Sequence, residues 1–251
     1  MVVRNVLVAT AFLTRVPVPI VADAADVGRA ARWFPLIGGV LGGANAAVAW
    51  TMTAIVDVPA TLTATLVVGL AAWVTGAIHL DGLADTVDGF GGGRDRDSAL
   101  RIMRDPLIGS YGTAALVFVI GVKVTAVAAL LDRAGGLAFV VAAPALSRWT
   151  IAALAAALPY ARTDGGLGQA VTRERDTAGL IVATLVAALI ALGALGADAL
   201  IAWAFAALAA VWIGRSARRR IGGVTGDVFG ASVELAEASV LVCGVLVTGH
   251  P

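Results

Sequence analysis

Residues 60–88 read ATLTATLVVGLAAWVTGAIHLDGLADTVD: an apolar run without a single Asp, Glu, Lys or Arg through Leu80, followed at once by Asp81, Asp85 and Asp88. A run of about 20 such residues spans the roughly 30 Å of bilayer hydrocarbon as a helix. An acidic cluster at its end belongs where that helix meets water. The same alternation of long apolar blocks and short polar connections recurs along the chain. It predicts crossings at 36–56, 60–80, 112–131, 135–158, 178–195, 197–213 and 231–249. The fold class is therefore all-α: a polytopic membrane bundle of about seven helices.

Composition agrees with this reading. The 251 residues are 59% hydrophobic and 14% charged, with a mean hydropathy of +0.91, whereas a soluble domain carries about 25% charge. The lipid bilayer is thus the first partner. A net charge of +1 with no basic tract outside short loops excludes a nucleic-acid partner. The single Cys243 lies in an apolar block and serves neither a disulfide framework nor a thiolate metal site. No repeat of fixed period and no second domain is visible, so residues 1–251 form one membrane-embedded unit. At the start, Val6 to Leu13 is a short apolar run that Arg15, Pro17 and Pro19 bring to an end. This predicts an interfacial segment rather than a cleaved signal. In the first crossing, Gly38 with Gly42 and Gly39 with Gly43 form small-residue pairs that permit close backbone approach. Packing within the chain is their expected use, and pairing in a homo-oligomer is the alternative.

Arginine placement orients the bundle, because positively charged loops stay in the cytoplasm. Arg4, Arg15, Arg29, Arg32, Arg94, Arg96, Arg101, Arg104, Arg162, Arg173, Arg175, Arg215, Arg218, Arg219 and Arg220 fall on one side of a seven-crossing arrangement, and only Arg133 falls on the other. Lys123 and Arg148 lie inside crossings. The N-terminus and the acidic loops are then cytoplasmic.

On a helix, Asp81, Asp85 and Asp88 fall within about 60° of one another. Like charges held so closely call for a cation, and hard carboxylate ligands suit magnesium shared with substrate phosphates. A merely solvated helix end is the other use of such a cluster. His79, alone at the interface, is expected to be structural. Downstream, GGGRDRDSALRIMRDP over residues 91–106 makes a glycine turn into a short amphipathic helix. There Asp97 and Arg101 are spaced for an i,i+4 pair, while Arg94 and Arg104 remain for a pyrophosphate. A second acidic stretch, Gly226-Asp227 through Glu234 and Glu237, opens the last crossing. Asp227 and Glu234 share a face, and acids at that depth usually face a bundle interior or a watery cavity. Lys123 and Arg148 are their obvious structural partners and also candidates for substrate contact.

The stretch His79 to Gly89 resembles the motif of the cobalamin synthase (adenosylcobinamide-GDP ribazoletransferase) family. Other stretches are similar to that family in the same order: Phe12-Leu-Thr-Arg15-Val-Pro17-Val-Pro19, Phe34-Pro35-Leu-Ile-Gly38, Met103-Arg104-Asp105-Pro-Leu-Ile-Gly109-Ser-Tyr-Gly112, Pro159-Tyr-Ala-Arg162 with Gly166-Leu-Gly168, and Gly226-Asp-Val-Phe-Gly230-Ala. Extra residues between Arg162 and Gly166 are the one departure. The resemblance implies a multi-pass enzyme of a bacterial or archaeal inner membrane that joins α-ribazole, or its 5′-phosphate, to adenosylcobinamide-GDP and releases GMP. It implies magnesium as cofactor, with Asp81, Asp85, Asp88 and Asp227 as ligands and Asp85, Asp227 and Glu234 as the catalytic carboxylates. Arg15, Arg94, Arg104, Arg148 and Arg162 are the implied substrate-binding residues. Two rivals are weaker. A CDP-alcohol phosphotransferase motif would carry Arg where this chain has Asp85, and a secondary transporter should show two related halves with broken crossings.

Overall fold

The computed structural model describes residues 2–163, 167–172 and 176–249. Among them it contains twelve α-helices: α1 (Val2–Leu13), α2 (Ala24–Ala30), α3 (Phe34–Trp50), α4 (Ala60–Val74), α5 (Ile78–Gly92), α6 (Arg96–Ile102), α7 (Ser110–Leu131), α8 (Gly136–Ala157), α9 (Leu167–Thr172), α10 (Thr177–Leu195), α11 (Asp198–Ile221) and α12 (Gly226–Val247). Six helical stretches, those containing α3, α7, α8, α10, α11 and α12, are long and apolar enough to cross a bilayer. The seventh candidate is α4 joined to α5, a pair bent by 89°.

The all-α membrane bundle expected from the sequence is thus present, with differences at the ends of elements. The second crossing does not run straight to residue 80. Its apolar helix stops at Val74, where Gly76 (φ +66°) and Ala77 (φ +58°) take left-handed backbone conformations that no α-helix continues. We read α4 as the crossing and α5, turned away from it with its three aspartates, as lying outside the crossings. Helix α11 extends eight residues beyond the expected end at 213, because cationic side chains are favourable in a final turn, where the helix dipole is negative. Helix α12 begins five residues earlier than expected, with Thr225 as its N-cap, which puts Asp227 in the first turn.

Helices α8 and α12 form the centre: about 67% of each candidate span is buried, against 22–39% for the other four stretches. Helix α8 packs on α3, α10, α11 and α12, while α12 also packs on α5 and α7. The outer helices turn large apolar side chains away from the protein, among them Phe118, Leu185, Leu189, Leu200 and Leu208, all at least 64% exposed. In a bilayer that surface meets lipid. Several cytoplasm-assigned arginines are structural. Arg4 and Arg29 both pair with Asp26 at 2.7 Å, tying α1 to α2, and Arg32 pairs with Asp176 at 2.6 Å beside α10.

The glycine pairs of the first crossing serve contacts within the chain. A Cβ at Gly38 would overlap the Pro144 carbonyl, and one at Gly42 would overlap the Val141 carbonyl, so α3 and α8 touch backbone to backbone. A Cβ at Gly39 would meet the Ile190 side chain, and one at Gly43 would meet nothing within 4 Å. Overpacking a close helix crossing costs about 1–3 kcal/mol. Gly42→Leu should accordingly lower the thermal midpoint of the detergent-solubilised protein by several degrees, while Gly43→Leu leaves it unchanged. Equal effects of the two changes would refute the α3–α8 contact.

Candidate active site

The acidic motif is positioned by contact between α5 and α12. A Cβ added to Gly82 would lie 2.8 Å from the Asp227 carbonyl oxygen, and one on Gly230 would lie 3.1 Å from the Gly82 Cα. Only glycine at both positions lets the two backbones come this close. The contact brings Asp81 and Asp85 of α5 beside Asp227 of α12. Asp81 and Asp85 line a cavity of about 660 Å³ together with Ala84, Arg104, Asp105 and the apolar Ile78, Ile108 and Leu116. The charges of Asp81, Asp227, Asp88 and Arg162 all act on Asp85. Burial, then the neighbouring Asp81 and Asp227 carboxylates, push the Asp85 carboxyl up to about 7. Carboxylates held so close favour a cation or a proton among them.

Asp88, the third acid, has a different task. Its Oδ2 accepts the Gly109 N–H at 2.7 Å and its Oδ1 accepts the Gly112 N–H at 2.9 Å. It is buried and caps the first turn of α7, whose unpaired N–H groups and positive dipole end suit a carboxylate. A Cβ at either glycine would collide with that carboxylate. Asp88 therefore fixes α5 against α7, with both oxygens engaged.

Asp227 is reached from the other flank. The 159–162 segment pairs with the turn after α11: Ala161 N–H donates to Val224 O at 2.8 Å, and Val224 N–H donates to Pro159 O at 2.9 Å. This places Arg162, whose Nη2 meets Asp227 Oδ2 at 2.7 Å. The Thr225 hydroxyl donates to the same carboxylate oxygen at 3.2 Å. Arg162 Nε is buried without a hydrogen-bond partner. Arg96 joins the same corner, with Nε donating to Ile221 O at 3.1 Å and Nη2 donating to Ala161 O. Helix α6, which carries Arg96, starts from an Asp95 cap. The Ser98 N–H donates to Asp95 at 2.8 Å and holds that carboxyl below its usual range.

The remaining expected residues are dispersed. Glu234 lies two turns deeper than Asp227 on α12, about 10 Å along the helix, and pairs with Lys123 at 3.0 Å. Lys123 also meets Glu237 at 2.7 Å, and Glu237 pairs with Arg148 and accepts from Ser147. Glu234 and Arg148 thus belong to a buried network inside the bundle and not to the cavity, because each finds its opposite charge there. The Arg15 side chain lies against Gly76 at the α4–α5 corner, which borders the cavity. Arg104 lines the cavity. Arg94 is exposed on the glycine turn and lines neither this cavity nor the next. Asp97 pairs with Arg96 at 3.3 Å rather than with Arg101. Arg173, Arg175 and Gly166 fall outside the described residues. Sequence reasoning missed the latch made by Arg96, since its acceptors are backbone carbonyls that no motif displays.

Among the described residues, no three His, Cys, Asp or Glu side chains are arranged to enclose a metal ion. Magnesium held by one or two carboxylates, substrate phosphates and water needs no all-protein cage. Asp81 and Asp85, on one cavity wall, are a donor pair of that kind.

The chain matches the family model for cobalamin-5-phosphate synthase over residues 5–245. It is 40% identical over 243 residues to the adenosylcobinamide-GDP ribazoletransferase of Sinorhizobium medicae, covering 93% of this chain and 92% of that protein. A ribazoletransferase from Chlorobaculum tepidum is 38% identical, with 93% and 92% covered. One from Pseudomonas aeruginosa is 39% identical, with 95% and 96% covered. No solved structure matches the fold. With landmarks in order from the N-terminal arm to the last crossing and a match over nearly its whole length, the chain belongs to the cobalamin-5-phosphate synthase family.

Proposed function

We propose that this chain joins α-ribazole, or α-ribazole 5′-phosphate, to adenosylcobinamide-GDP, the step that assembles the nucleotide loop in vitamin B12 biosynthesis. The observation that carries the reading is the cavity lined by Asp81, Asp85 and Arg104, next to which the α5–α12 contact holds Asp227 with its partner Arg162. A hydroxyl of the acceptor attacks the corrinoid-side phosphorus. A new P–O bond forms, the bond to the GMP oxygen breaks, and the hydroxyl proton passes to one of the clustered carboxylates. Displacement at a pyrophosphate depends chiefly on positioning and charge neutralisation. Asp81 and Asp85 would hold magnesium, which when bound supplies positive charge to the phosphate oxygens. Arg104 adds positive charge within the cavity, and Arg162, paired with Asp227, adds it from the neighbouring one.

Purified protein given adenosylcobinamide-GDP, either acceptor and magnesium should release GMP, and a chelator should stop it. Asp85→Asn and Asp227→Asn should each cut turnover by about a hundredfold or more while folded yield stays near wild type. Wild-type turnover in both variants would sink the shared-site assignment.

The cavity faces the cytoplasm. Arginine asymmetry supports this, and it requires α4 to count as a crossing. With Cys243 replaced, a membrane-impermeant thiol reagent should label Ala134→Cys in intact cells. It should reach Asp97→Cys and Arg219→Cys only after permeabilisation. All three are exposed positions, so the reverse pattern would overturn the orientation.

A further inference from the structure

A second cavity, of about 450 Å³, lies beside the first and is lined by Arg96, Arg101, Arg104 and Arg162, with Asp97 the one acidic side chain among the described residues of its lining. Arg104 lines both cavities. Resting on the transferase reading, we propose that this arginine cavity is a separate phosphomonoester subsite that works without metal, next to the carboxylate cavity where magnesium and the pyrophosphate meet.

The two cavities differ in charge. The first holds Asp81, Asp85 and Asp105 against Arg104, an excess of negative charge that needs a cation before it accepts a phosphate. Among the described residues, the lining of the second is four guanidinium groups and Asp97, whose side chain is 85% exposed and turned to Arg96 at 3.3 Å. A phosphomonoester carries up to two negative charges and three acceptor oxygens, and guanidinium forks bind such a group directly. The site is also pre-organised. Arg96 is held by the carbonyls of Ile221 and Ala161, and its Nη1 faces the exposed Asp97 at 3.3 Å. Arg162 is held by Asp227 and keeps a buried Nε without a hydrogen-bond partner. Groups fixed in advance lose little entropy on binding.

Two phosphomonoesters occur in the reaction: the 5′-phosphate of a phosphorylated acceptor and the phosphate of departing GMP. Both present the same chemistry to the arginines, and kinetics separates them.

The test is binding of ribose 5-phosphate, with ribose as control, to the full-length purified protein in the presence of chelator. Ribose 5-phosphate should bind and ribose should not. Arg101→Gln should weaken binding about tenfold or more, with Arg101→Lys restoring part of it. In turnover assays, a rise in KM for α-ribazole 5′-phosphate but not for α-ribazole assigns the cavity to the acceptor. A raised inhibition constant for GMP with both acceptor KM values unchanged assigns it to the leaving nucleotide. A wild type that releases no GMP would defeat the transferase reading, yet the binding measurement would still decide the subsite. Binding that requires magnesium, that fails to distinguish ribose 5-phosphate from ribose, or that ignores Arg101→Gln would overturn the proposal.

Discussion

Four buried charges hold the centre of this bundle in register. Lys123 of α7, Arg148 of α8, and Glu234 and Glu237 of α12 neutralise one another where water cannot. Removing one member of such a set leaves an uncompensated buried charge, at a cost of about 3–5 kcal/mol. The arrangement therefore admits one depth for α12 relative to α7 and α8. Lipid supplies no hydrophobic force to press helices together, so close packing and polar ties must do that work. With α12 fixed in depth, Gly230 meets Gly82, and α5 has one place to lie. Asp81 and Asp85 reach Asp227 as a consequence.

The charges thus divide into two populations. Those within the bundle are cancelled and serve architecture, joined by the buried pair of Thr150 and Ser232 hydroxyls. Those at the cavities line open space, among them Asp81, Asp85 and Arg101. Asp88 stands between the two, because it belongs to the acidic motif yet gives both oxygens to the start of α7. A motif that reads as three equivalent ligands is, in three dimensions, two cavity carboxylates and one strut.

The bundle and the gathering of Asp81 and Asp85 at one cavity were legible because the relevant signals are local. Apolar length and the 81/85 spacing both act within one helix. Long-range pairings were legible only as one of two uses. Lys123 and Arg148 stood out both as structural partners of the acids in the last crossing and as candidates for substrate contact, and the pairs formed, 111 and 89 residues apart, are fixed only by the packing of α7, α8 and α12. The corner before α5 was hidden for another reason. Thr75, Gly76 and Ala77 are ordinary membrane-helix residues, and nothing in their composition shows that two of them adopt left-handed backbone. The extension of α11 was masked because arginines at a helix end resemble arginines in a loop.

The corner also bears on how the protein is made. Fifteen residues of α4 rise only about 22 Å as a helix, short of the hydrocarbon thickness, and the polypeptide that follows carries three aspartates. A translocation machinery sampling the chain in order would find α4 a poor candidate for release into the bilayer by itself. Its flanks are α3, which precedes it, and α7, against which it packs. Integration of this crossing is therefore expected to depend on α3 and α7 as well as on α4 itself, so α5 with its aspartates is expected to take its place late in biogenesis.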